Sequence, residues 1–178
     1  MTKLEKITIR SAVLDDLLTM IKVMDDVLES PSTEDDIQQI LDRWLPRFVK
    51  DSRFYYYVVE NENMNMIGWC CGRETLECTR TVNDQIYDCE IGQIFILQQY
   101  QHRGIGRELW KIVWNSVLER FHPRNFLVWA LDKESTHQFY RSLGGTLAGT
   151  KKTDDTILTA YIWNDPKPYD TTNFVIFI

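Results

Sequence analysis

No run of about 18 apolar residues occurs in this chain of 178, which excludes a membrane-spanning helix. The opening Met-Thr-Lys-Leu-Glu-Lys has no apolar signal segment, so a cytoplasmic location without a membrane partner is expected. An excess of basic charge is lacking too. Twenty Lys and Arg stand against 26 Asp and Glu, for a formal net charge of −6. A general nucleic-acid binder needs a basic face for the phosphates, so nucleic acid is not an expected partner. Among the four cysteines (Cys70, Cys71, Cys78 and Cys89) there is no CxxC pair, and no His stands at zinc-finger spacing. Reduced, mostly buried thiols and no metal are expected. His102, His122 and His137 are scattered and suggest no metal site either. Repeats and low-complexity segments are absent. What remains is ordinary globular composition, 44% hydrophobic and 26% charged, enough for one domain with a full core over 1–178.

Residues Ile7 to Ala12 alternate apolar and polar, as a half-buried strand does. Leu14, Leu17, Leu18, Ile21, Met24 and Leu28 recur at helical spacing up to Glu29, and Ser30-Pro31 ends that segment. Ser32 or Thr33 caps a second helix, with Ile37, Ile40, Leu41, Trp44 and Phe48 inward and Pro46 kinking or shortening its end. Arg53 to Glu60 and Met66 to Leu76 read as a hairpin around a polar turn. A polar connection (Thr79 to Gln85) leads to a strand from Tyr87 to Leu97. Arg107 to Phe121 is strongly helical and stops at His122-Pro123. Phe126 to Leu131 is a short apolar strand, and the intervening helix implies a parallel crossover to it. Asp132 to Leu143 is a helix closed by Gly144-Gly145, and Thr146 to Lys152 and Thr156 to Trp163 form a hairpin around Asp154-Asp155. The resulting order, β α α β β β α β α β β, predicts a mixed α/β fold. Its central sheet is mostly antiparallel, with helices on both faces.

Between the fourth strand and its helix stands Gln101-His102-Arg103-Gly104-Ile105-Gly106. Two glycines where a helix begins leave backbone N–H groups open, and the helix dipole with Arg103 and Arg107 adds positive charge. The arrangement suits a phosphate, and it equally suits a plain strand-to-helix turn. A dinucleotide-binding fold would instead place its glycine motif after the first strand.

The hexapeptide resembles the Gln/Arg-x-x-Gly-x-Gly/Ala signature of the GNAT superfamily of acyl-coenzyme-A-dependent N-acyltransferases, and the resemblance spans nearly the whole chain. It implies a GNAT-like sheet with a splayed parallel strand pair. Acetyl-CoA is then the co-substrate, without a metal. Cofactor contacts are implied for Gln101 and for the loop from His102 through Arg103, Gly104, Ile105 and Gly106 to Arg107, whose backbone amides would take the pyrophosphate. Ile94, Phe95 and Ile96 would pair with the pantetheine arm, whose two amides can act as a strand does. Phe139-Tyr140-Arg141-Ser142-Leu143-Gly144-Gly145 resembles the family's Phe-Tyr-x-x-x-Gly element, which implies Tyr140 as the proton donor to the leaving thiolate. Glu90, six residues before Ile96, is implied as the general base, since an amine of pKa near 10 is protonated at pH 7 and must lose a proton before attack. Strand alternation puts Glu90, Gly92, Ile94 and Ile96 on one face, barring a bulge. Relatives often carry Asn six or seven residues before the tyrosine, where this chain has Glu134 and Lys133.

The implied activity is direct acetyl transfer to a primary amine of a small molecule or peptide. A non-catalytic acyl-CoA-binding sensor on the same fold is the alternative. Asp25, Asp26, Glu29, Glu34, Asp35 and Asp36 would attract a cationic acceptor, and they equally suit a solvated helix face. Cys70 and Cys71 fall on opposite faces of their strand, which argues against an acyl-enzyme. Trp110, Trp114 and Trp129 read as packing residues. The apolar end Asn173-Phe-Val-Ile-Phe-Ile should be covered, as an added strand or, preferably, as a homodimer contact.

Overall fold

The alternating start of the chain forms β1 (Lys6–Ser11), with Ile7 buried. In this computed structural model the described residues are 5–75, 81–153, 156–171 and, as backbone, 176–177. After a 3-10 turn come α1 (Leu17–Leu28) and α2 (Glu34–Trp44). Thr33 caps α2 by accepting from the Asp36 N–H, and the Asp36 carboxylate accepts in return from the Thr33 N–H. This reciprocal box satisfies donors that a helix start leaves open. Pro46 sits in the 3-10 turn that ends α2, as its missing N–H dictates.

Next in the chain are β2 (Phe54–Glu60), β3 (Met66–Glu74), β4 (Thr81–Val82), β5 (Gln85–Ile86) and β6 (Cys89–Ile96). They are followed by α3 (Ile105–Phe121), β7 (Asn125–Leu131), α4 (Glu134–Ser142), β8 (Thr146–Lys152), β9 (Ile157–Asn164) and β10 (Ile176–Phe177). Among the described residues the eight-stranded sheet runs β10-β1-β2-β3-β6-β7-β9-β8, and only β6 and β7 are parallel. The mixed, mostly antiparallel sheet expected from the sequence is therefore present. The fourth predicted strand is β6, because β4 and β5 form a small separate hairpin in the supposed polar connection.

Packing on the two faces follows strand alternation. Cys70 lies with Ile91, Leu109, Trp110, Val113 and Tyr140 on the side of α3 and α4. Cys71 lies with Trp69, Tyr56, Leu17 and Met20 on the side of α1 and α2. Cys70, Cys71 and Cys89 are free and buried, while Cys78 lies outside the described residues. So do Leu76, Thr79 and the Asp154-Asp155 turn. Of the C-terminal run, residues 173–175 and 178 lie outside as well, and Ile176 and Phe177 pair antiparallel with β1. That is the added-strand placement, one of the two expected for this segment. Among the described residues no helix is long and apolar enough to cross a membrane.

One irregularity alters the site. The register between β3 and β6 slips, with Cys71 opposite Gln93 and Gly72 opposite Ile91, so Gly92 is an extra residue in β6. A one-residue bulge reverses the faces beyond it. Glu90 consequently lies across from Arg73 on the α1–α2 side, while Ile94 and Ile96 face α3. The expectation of a common face for Glu90, Ile94 and Ile96 is corrected by that bulge.

Candidate active site

Strands β6 and β7 pair only at Cys89–Phe126 and Glu90–Leu127. Beyond these pairs they splay, and a cleft of about 740 Å³ opens between them. Its walls are Gly92 to Ile96 of β6, Trp129 to Leu131 of β7, the loop around Gly104, one side of α4 and the tip of α1 at Leu28. The exposed edge of β6 has a definite polarity. Because the Leu97 N–H donates to the Ile67 carbonyl at 2.9 Å, alternation turns the Phe95 backbone toward β3 as well. Ile94 and Ile96 then direct their N–H groups into the gap. Of the three residues expected to pair with a pantetheine arm, Phe95 is thus already engaged through its backbone.

At the end of β6 the Gln101 carboxamide donates to the Ile96 carbonyl at 2.8 Å and closes the loop. His102 (φ 60) and Gly104 (φ 83) both take left-handed backbone, and Gly104 starts α3. Only at Gly104 is this conformation free of strain, and no atom lies within 4 Å of where its Cβ would stand. Among the described residues, the N–H groups of His102 through Gly106 have no acceptor. The Arg107 N–H is instead bonded to the Gly104 carbonyl at 3.0 Å. Open amides at the start of a 17-residue helix are an arrangement that suits an anion. The Arg107 guanidinium lines the cleft and donates to the Ser142 hydroxyl at 2.8 Å, tying the loop to α4. Arg103 stands apart over the Tyr100 ring, and Ile105 is buried in the core.

Tyr140 lines the same cleft and is only 6% exposed. Its ring sits among Trp110, Phe139 and Tyr161. Burial pushes its phenol well above the ordinary value, and the nearby Cys70 sulfur adds to this. Tyr140 is therefore protonated throughout the neutral range. Glu90 is buried on the opposite side of the sheet, where the Arg73 guanidinium donates to its carboxylate at 2.7 and 3.1 Å. It does not line the cleft.

The sequence from residue 52 to residue 144, from the start of β2 to the end of α4, matches the family described as "Acetyltransferase (GNAT) domain". The chain belongs to the GNAT acetyltransferase family. No curated protein matches this GNAT chain. Solved structures similar to it include an assigned GNAT-family acetyltransferase of Desulfovibrio desulfuricans, with 20% identity and a TM-score of 0.67 over 90% of this chain and 99% of that one. A spermidine N-acetyltransferase mutant of Vibrio cholerae has 15% identity and a TM-score of 0.63 over 89% and 94% of the two chains. The PaiA N-acetyltransferase of Thermoplasma acidophilum, in complex with coenzyme A, has 14% identity and a TM-score of 0.63 over 89% and 98%. At these identities the likeness establishes the GNAT fold.

Several residues of this GNAT site escaped the reading of the sequence. Ser135, Thr136, Gln138 and Ser142 line the cleft from α4 and offer hydrogen-bonding groups near the positions of Glu134 and Lys133, where relatives often have Asn. The three- and four-residue steps linking Ser135, Gln138, Phe139 and Ser142 were visible as a helix face. Trp129 was read as packing, yet it lines the cleft beside Leu131.

Proposed function

We propose that the protein is an N-acetyltransferase that moves the acetyl group of acetyl-CoA to a primary amine by direct attack in a ternary complex. The observation carrying this reading is the shared cleft. His102, Gly104 and Gly106 with their open amides, the unpaired edge of β6 and Tyr140 all border one cavity. An anion cradle stands at one end, N–H groups of Ile94 and Ile96 at the middle and a proton donor beside them.

Acetyl-CoA supplies an activated acetyl thioester. The outward N–H groups of β6 polarise its carbonyl, acting as preorganised donors in a partly dry cleft. As the amine nitrogen bonds to the carbonyl carbon, the carbon–sulfur bond breaks. One amine proton leaves, and the sulfur gains one from Tyr140. Burial that disfavours a phenolate also disfavours a thiolate beside it, so this transfer is not opposed by the raised pKa of Tyr140 alone. Glu90, outside the cleft wall, collects the amine proton through water.

The test is release of free thiol from acetyl-CoA in the presence of a panel of amines. Amine-dependent release supports the transferase. Tight coenzyme A binding with no turnover on any amine would make the protein an acyl-CoA sensor.

A further inference from the structure

Helix α4 carries Tyr140, and with nine residues it cannot hold a setting by itself, since a helix of fewer than about 12 residues is marginal without tertiary packing. Its last carbonyls also need donors from outside the helix. Three elements supply them. Arg107, at the start of α3, donates to the Ser142 carbonyl at 3.3 Å, and the Trp163 indole of β9 donates to the Leu143 carbonyl at 3.0 Å. The third donor comes from the segment that follows β9. There the Tyr169 hydroxyl donates to the same Leu143 carbonyl at 2.9 Å, as an oxygen with two lone pairs allows.

Tyr169 is itself held by α3. A single carboxamide, that of Asn115, engages both of its backbone groups: Oδ1 accepts from the Tyr169 N–H at 2.9 Å, and Nδ2 donates to the Tyr169 carbonyl at 2.8 Å. The Trp114 indole donates to the Lys167 carbonyl at 2.9 Å. The Tyr169 ring lies edge-on to Trp114, Trp114 tilts on Trp110, and Trp110 meets Tyr140 edge-on, with centroids 5.6 Å apart at each step. Tyr169 is thus joined to Tyr140 by two routes, one through the carboxyl end of α4 and one through this file of rings. None of Tyr169, Asn115 and Trp114 lines the cleft. Building on the acetyltransferase reading, we infer that Tyr169 is a positioning residue for Tyr140: the segment 165–171, clamped on α3, holds α4 at the setting that keeps Tyr140 on the cleft wall. A proton donor works only within hydrogen-bond reach of its target, so a small displacement of α4 lowers turnover without loosening coenzyme A in its cradle.

The full chain is assayed by thiol release at saturating acetyl-CoA, with the most active amine of a panel holding 2-phenylethylamine, spermidine and glutamate. Tyr169→Phe keeps the ring and deletes the hydroxyl. Its kcat should fall about 5- to 10-fold, the scale of one hydrogen bond, with the Kd for coenzyme A measured by calorimetry unchanged. Asn115→Leu frees the same segment from α3 and should lower kcat at least as far. In a Tyr140→Phe background, Tyr169→Phe should cost no further kcat, because the group it positions is gone. Equal fold losses in the two backgrounds would show a general structural role, and an unchanged kcat in Tyr169→Phe would show none. Either result overturns this inference and leaves acetyl transfer standing. Thiol release by the parent chain with none of the amines overturns the transferase reading and this inference with it.

Discussion

Tyr140 stacks on Tyr161, with ring centroids 5.4 Å apart and 28° between the planes. The Tyr161 hydroxyl lies 2.6 Å from Nδ1 of His137, whose Nε2 is 2.9 Å from Asp132. Thr159 donates to the same Asp132 oxygen at 2.8 Å. Residues of β9, α4 and the turn between β7 and α4 thereby fix the surface on which Tyr140 rests. Tyr161→Phe removes one member and leaves the His137 ring without that bond, which should cost about 1–2 kcal/mol. Urea unfolding of the variant measures this, and an unchanged midpoint would show that the bond does not hold α4.

Tyr140→Phe keeps the ring packing and deletes the hydroxyl. Turnover should fall about 10²-fold or more, as expected for loss of a general acid, with coenzyme A affinity nearly unchanged. Calorimetric binding beside steady-state kinetics separates the two. Equal turnover would remove Tyr140 from the mechanism.

Glu90→Gln tests the route of the amine proton. If Glu90 receives it through water, the variant loses kcat/KM and the acid limb of its pH–rate profile changes form. An unchanged profile would place the base elsewhere. Because the variant also weakens the contact with Arg73, the unfolding midpoint is measured alongside.

A pH effect on stability follows from Asp16. Its carboxylate accepts from both terminal nitrogens of Arg10 at 2.7 and 2.9 Å and from the Val13 N–H at 2.7 Å. The bonds from Arg10 chiefly hold its pKa below the usual carboxylate range, against the opposing pull of burial. In the unfolded chain an Asp titrates near 3.9, so the stabilisation is full above about pH 4 and fades as pH falls through the lower folded value. Asp16→Asn should cost about 1–3 kcal/mol at pH 7 and less in acid. Urea unfolding at pH 3 and pH 7 checks it; a difference independent of pH would contradict the assignment.

Much of the fold was legible because its signals are local. The helical spacing of Leu17, Ile21 and Leu28, the Thr33 cap, the aromatic run of β2 and the stop at His122 each act within a few residues. The crossover after α3 gave the parallel pair. Long-range geometry was not legible. Nothing near Gly92 announces that β6 gains a residue against β3, yet this bulge moves Glu90 to the other face from Ile94. Trp129 and Leu131 look like any buried strand, and they border a cleft only because β6 and β7 part after Glu90 and Leu127. The acidic cluster was ambiguous for the same reason: sequence cannot tell a carboxylate facing a cleft from one that caps a helix, as Asp36 does.

Thiol release from acetyl-CoA by the full chain, followed across the amine panel for the parent and for Tyr140→Phe, bears most directly on the shared cleft as a transfer site. Amine-dependent release that falls about 10²-fold in the variant is the predicted result. Coenzyme A binding without release by the parent, on any amine, would contradict it.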